Sequence, residues 1–155
     1  KKNDDMMFVS LWAGILDLRT GVLQYANGGH HPPFAALSGK AFRPLEVPNG
    51  PIVGVVEEAP FEVATLHLKP GDTLFLYTDG LPEAYNRNHE AFENDRIEAS
   101  LNSLQQASMK SLVSDLEAQV AAFVDGAPTH DDLTMMAFRY VGDSKSEVGK
   151  RKSEG

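Results

Sequence analysis

Two acidic positions in this sequence lie where a carboxylate could do chemistry. Asp79 comes directly after the apolar run 73–77 and is followed by Gly80, and the pair Asp131-Asp132 comes directly before another apolar run. A carboxylate at a strand end is held by the sheet, and two such ends in one sheet can face a common cleft. Carboxylate oxygens are the ligands that Mg²⁺ and Mn²⁺ prefer. The alternative is that Asp79-Gly80 is only a turn and that Asp131-Asp132 only ends a loop.

The histidines offer a different chemistry, a zinc or iron site. They are His30, His31, His67, His89 and His130. Adjacent side chains of an extended chain point to opposite faces, so His30 and His31 do not easily share one ion, and His130 is the histidine near carboxylates. The sequence has no Gly-x-Ser-x-Gly elbow, Walker loop or Rossmann glycine fingerprint. A histidine site therefore stays open as a second metal hypothesis.

Composition limits the classes of function. The 155 residues carry a formal net charge of -8, and none of them is cysteine. The lack of cysteine excludes a disulfide scaffold, a thiolate zinc site and a cysteine nucleophile. The acidic balance argues against nucleic-acid binding, which favours a basic face. Because no apolar run reaches the roughly 18 residues of a membrane span and no secretory signal is recognisable, a cytoplasmic protein without a membrane partner is expected.

Strands that could position the carboxylates are predicted from apolar runs and turn residues. The nearly continuous apolar run 6–18 predicts a strand buried on both faces. The turn residues 19–21 then join it in a hairpin to a second strand at 22–26. Further strands are predicted at 61–68, 73–77 and 133–141.

Helices are predicted in the second half of the chain, between the last two strands. Asn94 or Asp95 is predicted to cap a short helix, and Ser108 a longer one. The longer helix has an apolar stripe of Met109, Leu112, Val113, Leu116, Val120 and Phe123. Strands, then helices, then a returning strand predict an α+β fold or a layered β-sandwich with helices outside. Residues 142–155 hold one apolar residue and are predicted to be a disordered tail.

Three blocks of the sequence resemble the bacterial SpoIIE/RsbU-type serine phosphatases, which belong to the metal-dependent PP2C (PPM) superfamily. Residues 7–33 resemble the family's strand pair and its Asn/Gly/His/Pro turn. Residues 68–86 resemble its Asp-Gly block, and residues 131–134 resemble its closing motif. The blocks keep the family's order and spacing, so the resemblance covers residues 6–141.

The resemblance implies an αββα sandwich of two antiparallel sheets with flanking helices, and a centre of two Mn²⁺ or Mg²⁺ ions. It implies that Asp79 and Asp131 are metal ligands and catalytic residues, while Asp132 supports them or forms the turn. The implied reaction is attack by a metal-activated water on phosphoserine or phosphothreonine. The implied substrate is a phosphorylated STAS-domain regulator, an anti-anti-sigma factor, and the implied parent chain carries an upstream sensor or receiver domain. A homodimer is left open.

The sequence departs from the family pattern in three places, one of which is Gly28-Gly29 in the His turn. The family begins with an acidic block whose Asp bridges the two metals, and Asp4 and Asp5 lie too close to the first matched strand to supply it. Residues 6–141 are therefore interpreted as the last two thirds of the domain, and little activity is expected of this chain alone. The family also tends to have Phe-Gly where this chain has Phe92-Glu93. The alternative function is a non-catalytic PP2C-like signalling or binding module.

Overall fold

The computed structural model describes residues 7–48, 50–56, 58–128 and 131–142. The strands are β1 Leu11–Leu16, β2 Val22–Gly28, β3 Phe34–Ala36, β4 Arg43–Pro44, β5 Ala64–His67, β6 Thr73–Tyr77 and β7 Met135–Arg139, and the helices are α1 Glu93–Ser103 and α2 Met109–Val124. The chain divides into two compact units, each with its own antiparallel sheet. Within the described ranges, no helix is long and apolar enough to cross a membrane. All but the first residue of the predicted tail lies outside the described residues.

The first unit takes its described residues from 1–30, 47–72 and 140–155 and holds the sheet β1-β2-β5. β1 and β2 pair as the predicted hairpin, with Leu16 opposite Leu23. Their turn needs a glycine, because Gly21 has a φ of +75° and a Cβ there would lie 2.3 Å from the carbonyl oxygen of Leu68. The hairpin prediction is therefore confirmed together with the residue that closes it.

The burial predicted for the first strand is wrong. Of the run 6–18, the strand includes only Leu11–Leu16, and within it Leu11 is 49% and Ile15 is 78% exposed. β1 is an edge of its three-stranded sheet and pairs along its length with β2. A continuous apolar run is typical of a strand covered on both faces, but the run does not itself supply the elements that cover those faces.

The second unit consists of residues 31–46 and 73–139 and holds the sheet β4-β3-β6-β7 with both helices. β6 lies between β3 and β7 and has the bounds predicted for it, Thr73–Tyr77. Its side chains join a hydrophobic core whose fully buried members include Phe34, Phe42, Phe75, Leu81, Ile97, Leu101, Leu112 and Leu116. Both predicted acidic sites lie in this unit, at the ends of β6 and β7.

The two helix starts differ in how well the sequence predicts them. The Ser108 side chain accepts a hydrogen bond from the amide of Ser111 at 3.1 Å, so the predicted cap of α2 is confirmed. The predicted cap of α1 is wrong, because α1 begins at Glu93 and its cap position makes no side-chain hydrogen bond. The side-chain Oδ1 of Asn94 instead accepts a hydrogen bond from the Tyr77 hydroxyl at 3.0 Å, a partner 17 residues away that local sequence does not reveal.

Candidate metal centre

Asp79 lies in a tight turn at the end of β6. The Gly80 amide donates to Oδ1 of Asp79 at 3.1 Å, and the Glu83 amide donates to its backbone carbonyl at 3.0 Å. Leu81, which follows, is fully buried and anchors the turn in the core. The Asp79 carboxylate itself is exposed, so a rigid backbone presents it to solvent.

Asp131 lies in the turn that leads into β7. The amide of Asp132 donates to Oδ1 of Asp131 at 2.7 Å, and both aspartates are exposed. Each predicted ligand thus accepts a hydrogen bond from the amide that follows it. Both carboxylates accept these hydrogen bonds at Oδ1, from the amides of Gly80 and Asp132.

Antiparallel pairing brings the two turns to one end of the second sheet. β6 and β7 pair up to Tyr77 opposite Met135, so the turn after β6 and the turn before β7 lie side by side. Thr78 ties them together, because its hydroxyl donates to the carbonyl oxygen of Asp132 at 3.0 Å. A Cβ on Gly80 would lie only 2.6 Å from that same oxygen. The structure therefore brings together the two turns that the sequence predicts to hold ligands.

The donor set of these turns fits part of a hard-cation site. Mg²⁺ is typically held by one or two carboxylates, with water and substrate phosphate completing the shell. Asp79 and Asp131 supply two such carboxylates from the two turns that meet. Across residues 7–48, 50–56, 58–128 and 131–142, no group of three or more His, Cys, Asp or Glu side chains is placed to hold an ion. The described residues thus offer two candidate ligands on adjoining turns, and they do not form a complete site.

The histidines do not form a metal site in the described part of the chain. His30 belongs to the first unit, where its Nδ1 lies 3.1 Å from the Ser10 hydroxyl. His31 belongs to the second unit and stacks on Tyr77, with the ring centroids 5.8 Å apart. His130, the histidine nearest to carboxylates in sequence, lies outside the described residues.

Comparison with known proteins identifies the family. The sequence model of the family described as Stage II sporulation protein E (SpoIIE) matches residues 1–141. The chain belongs to the SpoIIE family. Protein IcfG of Synechocystis sp. is 32% identical over 135 residues, which are 86% of this chain and 21% of IcfG. Phosphoserine phosphatase RsbU of Bacillus subtilis is 23% identical over 137 residues, which are 88% of this chain and 40% of RsbU. The chain thus spans less than half the length of either relative.

Solved structures of the SpoIIE family share the fold. The PP2C phosphatase domain of Bacillus subtilis SpoIIE, solved with a fragment of its regulatory domain, matches with a TM-score of 0.72 at 20% identity, over 92% of this chain and 41% of that one. The SpoIIE phosphatase domain presoaked with Mn matches with a TM-score of 0.65 at 18% identity, over 93% and 61%. The predicted PP2C-like α+β fold is therefore confirmed.

Thr78 links the two candidate turns of this SpoIIE-family chain, and the sequence prediction missed it. Its hydroxyl contacts Asp132 as described and also accepts from the amide of Thr134 at 3.0 Å. The sequence does carry a signal, since one threonine precedes Asp79 and another follows two residues after Asp132. Only the register of β6 against β7 makes the two threonines meet.

Glu93 stands where the family resemblance leads us to expect glycine. Its φ is +60°, in the left-handed region that favours glycine, and its amide donates to the carbonyl oxygen of Pro82 at 2.9 Å. The backbone thus keeps the conformation that a glycine would adopt, at a cost of about 1–2 kcal/mol for a residue with a Cβ.

A cleft of about 380 Å³ adjoins the Asp79 turn, and the sequence did not predict it. It is lined by His31, Pro82, Glu83, Ala91, Glu93, Asn94 and Asp95. Glu83 takes part in the turn through its amide, and it is an exposed residue that lines the cleft. Three separate stretches of chain form the walls, so no single motif marks the cleft.

Tyr77 is the last residue of β6 and is buried. Its burial makes the stability of the protein depend on pH in the alkaline range. Its ring stacks on Phe34 and Phe75 at centroid distances of 5.7 and 5.8 Å. Burial raises the pKa of Tyr77 to about 12. In the unfolded chain the tyrosine pKa is about 10. The neutral form is therefore favoured on folding, and its stabilising contribution is complete below about pH 10 and is lost as the pH rises from about 10 towards 12.

We expect Tyr77→Phe to flatten the alkaline loss of stability. The phenylalanine has no proton to lose, so between about pH 10 and 12 the melting temperature of the variant should fall less steeply than that of the wild type. Thermal unfolding followed by circular dichroism across this range measures the difference. Tyr85→Phe, at an exposed tyrosine of the same unit, is the matched control and should parallel the wild type. Parallel curves for Tyr77→Phe and wild type would contradict the prediction.

Proposed function

We propose that this chain contributes to a metal-dependent protein serine/threonine phosphatase domain of bacterial signalling, with Asp79 and Asp131 as metal ligands and catalytic residues. The carrying observation is that their turns meet at one end of the β6–β7 pair, tied by a 3.0 Å hydrogen bond from the Thr78 hydroxyl to Asp132. Membership of the SpoIIE family and the name of RsbU, a phosphoserine phosphatase, support this chemistry. Residues 6–141 are the phosphatase part in this proposal, and its place of action is the cytoplasm.

The chain's own residues orient the ligands. The amides of Gly80 and Asp132 each donate to Oδ1 of the preceding aspartate, which fixes both carboxylates through the backbone. Two oriented carboxylates suit Mn²⁺ or Mg²⁺ better than softer metals. When bound, such ions supply Lewis acidity and a water activated for attack on phosphorus. The relative solved after presoaking with Mn supports manganese as the ion.

The proposed substrate is a phosphorylated STAS-domain regulator, and the proposed partner within the gene product is an upstream sensor, receiver or other regulatory domain. The solved SpoIIE relative carries a fragment of a regulatory domain beside its PP2C domain, which supports the second point. The first rests on the family resemblance to RsbU-type phosphatases.

One observation favours a second function, a non-catalytic PP2C-like signalling module. Within the described residues, no group of three or more His, Cys, Asp or Glu side chains is placed to hold a metal ion. A PP2C-like fold with an incomplete ligand set could still bind a partner protein. Catalysis and binding then differ in one measurable property, the release of phosphate.

Phosphate release from a phosphoserine STAS-domain protein tests the function. The gene product that contains these residues is assayed with Mn²⁺ and with EDTA, beside a short phosphoserine peptide as second substrate. We expect Mn²⁺-dependent release from the STAS protein, and weak metal binding with little release from the 155-residue chain alone. Release from the peptide but not from the STAS protein would contradict the substrate class. No release from either by the gene product would favour the non-catalytic module.

A further inference from the structure

In the second unit, the Thr78 hydroxyl links the turn after β6 to the turn before β7, and these two turns hold the proposed ligands. It donates to the carbonyl oxygen of Asp132 at 3.0 Å and accepts from the amide of Thr134 at 3.0 Å. The Thr78 amide also donates to the carbonyl oxygen of Thr134 at 3.1 Å. One hydroxyl can fill both roles because it carries one donor hydrogen and two acceptor lone pairs.

The contacts of Thr78 continue the link between β6 and β7 beyond the last regular strand pair. The β6–β7 ladder ends at Tyr77 opposite Met135, and the backbone bond of Thr78 extends it by one step. Beyond that step the Thr78 hydroxyl holds the carbonyl of Asp132 to the end of β6. Asp79 is the residue directly after this threonine, and Asp131 is the residue directly before Asp132. The hydrogen bond therefore joins Thr78 and Asp132, each of which is next in sequence to a proposed ligand.

We infer that Thr78 is a positioning residue, whose hydroxyl sets the spacing of the Asp79 and Asp131 carboxylates and is required for their affinity for a divalent cation. This inference rests on the proposed metal centre. Outer-shell groups that orient metal ligands typically change metal affinity about 10–100-fold when they are removed. A hydroxyl that merely closed the end of the strand pair would change stability and leave metal affinity unaltered.

Titration calorimetry with Mn²⁺ on the gene product separates these roles. Thr78→Val keeps the shape of the side chain and removes both hydrogen bonds, so we expect the Mn²⁺ dissociation constant to rise about tenfold or more. Thr78→Ser keeps the hydroxyl and should restore wild-type affinity. Thr73→Val is the matched control, because the Thr73 hydroxyl accepts from Nε of Arg139 at 3.0 Å at the opposite end of the same strand pair. This control should lower the melting temperature without changing Mn²⁺ affinity.

Each outcome decides the inference. Wild-type Mn²⁺ affinity in a folded Thr78→Val variant would overturn it and leave the proposed metal centre intact. If Thr78→Val does not fold, Thr78→Ser carries the test, and a tenfold loss of affinity there would overturn the role of the hydroxyl. A loss of Mn²⁺ affinity in Thr73→Val as large as in Thr78→Val would also overturn the inference, because general destabilisation of the strand pair would then explain both losses. No saturable Mn²⁺ binding by the wild type would overturn the metal centre and the inference together.

Discussion

Replacing Asp131 by asparagine is expected to lower Mn²⁺-dependent phosphate release by the gene product about 100-fold or more. Asparagine keeps an Oδ1 that can accept the hydrogen bond from the amide of Asp132, so the turn into β7 should persist while the charge is lost. Loss of a metal ligand removes several kcal/mol of transition-state stabilisation, and every 1.36 kcal/mol is a factor of about ten in rate. Asp79→Asn should behave in the same way, because the Gly80 amide holds its turn equally.

Asp132→Asn is the matched control for this loss. Asp132 is exposed like Asp131, but its contribution to the site is its backbone carbonyl, which asparagine retains. We expect its kcat/KM to stay within about threefold of the wild type, in keeping with a surface substitution that removes no partner. Equal rates for Asp131→Asn and wild type would remove Asp131 from the mechanism.

His130→Ala tests the histidine hypothesis in the same assay. If a histidine site holds the metal, this variant loses Mn²⁺ and Asp131→Asn does not. If the two aspartates hold it, the order is reversed. Measuring bound Mn²⁺ as well as phosphate release separates loss of the ion from loss of the reaction.

The elements that the sequence predicts well have bounds that are set by interactions between residues close together in the chain. β6 keeps its predicted bounds because a buried, β-prone run lies between the turn at Asp72 and the turn at Asp79. α2 begins after Ser108 as predicted because the capping hydrogen bond spans only three residues. Its stripe is buried at Leu112, Leu116 and Val120, positions that one helix face brings together. The end positions of Asp79 and Asp131 follow from the same local signals.

The features that the sequence did not predict depend on partners far away along the chain. The hydrogen bond between Thr78 and Asp132 joins residues 54 apart, and it exists only in one register of β6 against β7. The exposure of β1 depends on what packs against the two faces of its sheet, which its apolar residues do not specify. Asn94, a predicted cap of α1, instead accepts a hydrogen bond from Tyr77, and α1 begins without a side-chain cap. Sequence spacing therefore identifies the candidate ligands but not the contacts that bring their turns together.

The second large effect is expected from Gly80→Ala, a change of one methyl group. The added Cβ would lie 2.6 Å from the carbonyl oxygen of Asp132 and 3.0 Å from its carbonyl carbon. Both atoms belong to the backbone, so the turn after β6 or the turn before β7 must move. We expect a loss of about 1–3 kcal/mol in the free energy of unfolding, the usual cost of overpacking. Because the Thr78 hydroxyl bonds to the same carbonyl oxygen, Mn²⁺ affinity should fall as well.

Gly39→Ala separates the effect on the site from the effect on stability. Gly39 has a φ of +73° and nothing within 4 Å of an added Cβ, so alanine there is strained without displacing a neighbour. It should cost about 1–2 kcal/mol and leave Mn²⁺ affinity unchanged. Urea denaturation and Mn²⁺ calorimetry on both variants give the two quantities independently. Wild-type affinity in Gly80→Ala would mean that the backbone can yield without separating the carboxylates, and the close approach of the two turns would then not be what holds Asp79 and Asp131 in place.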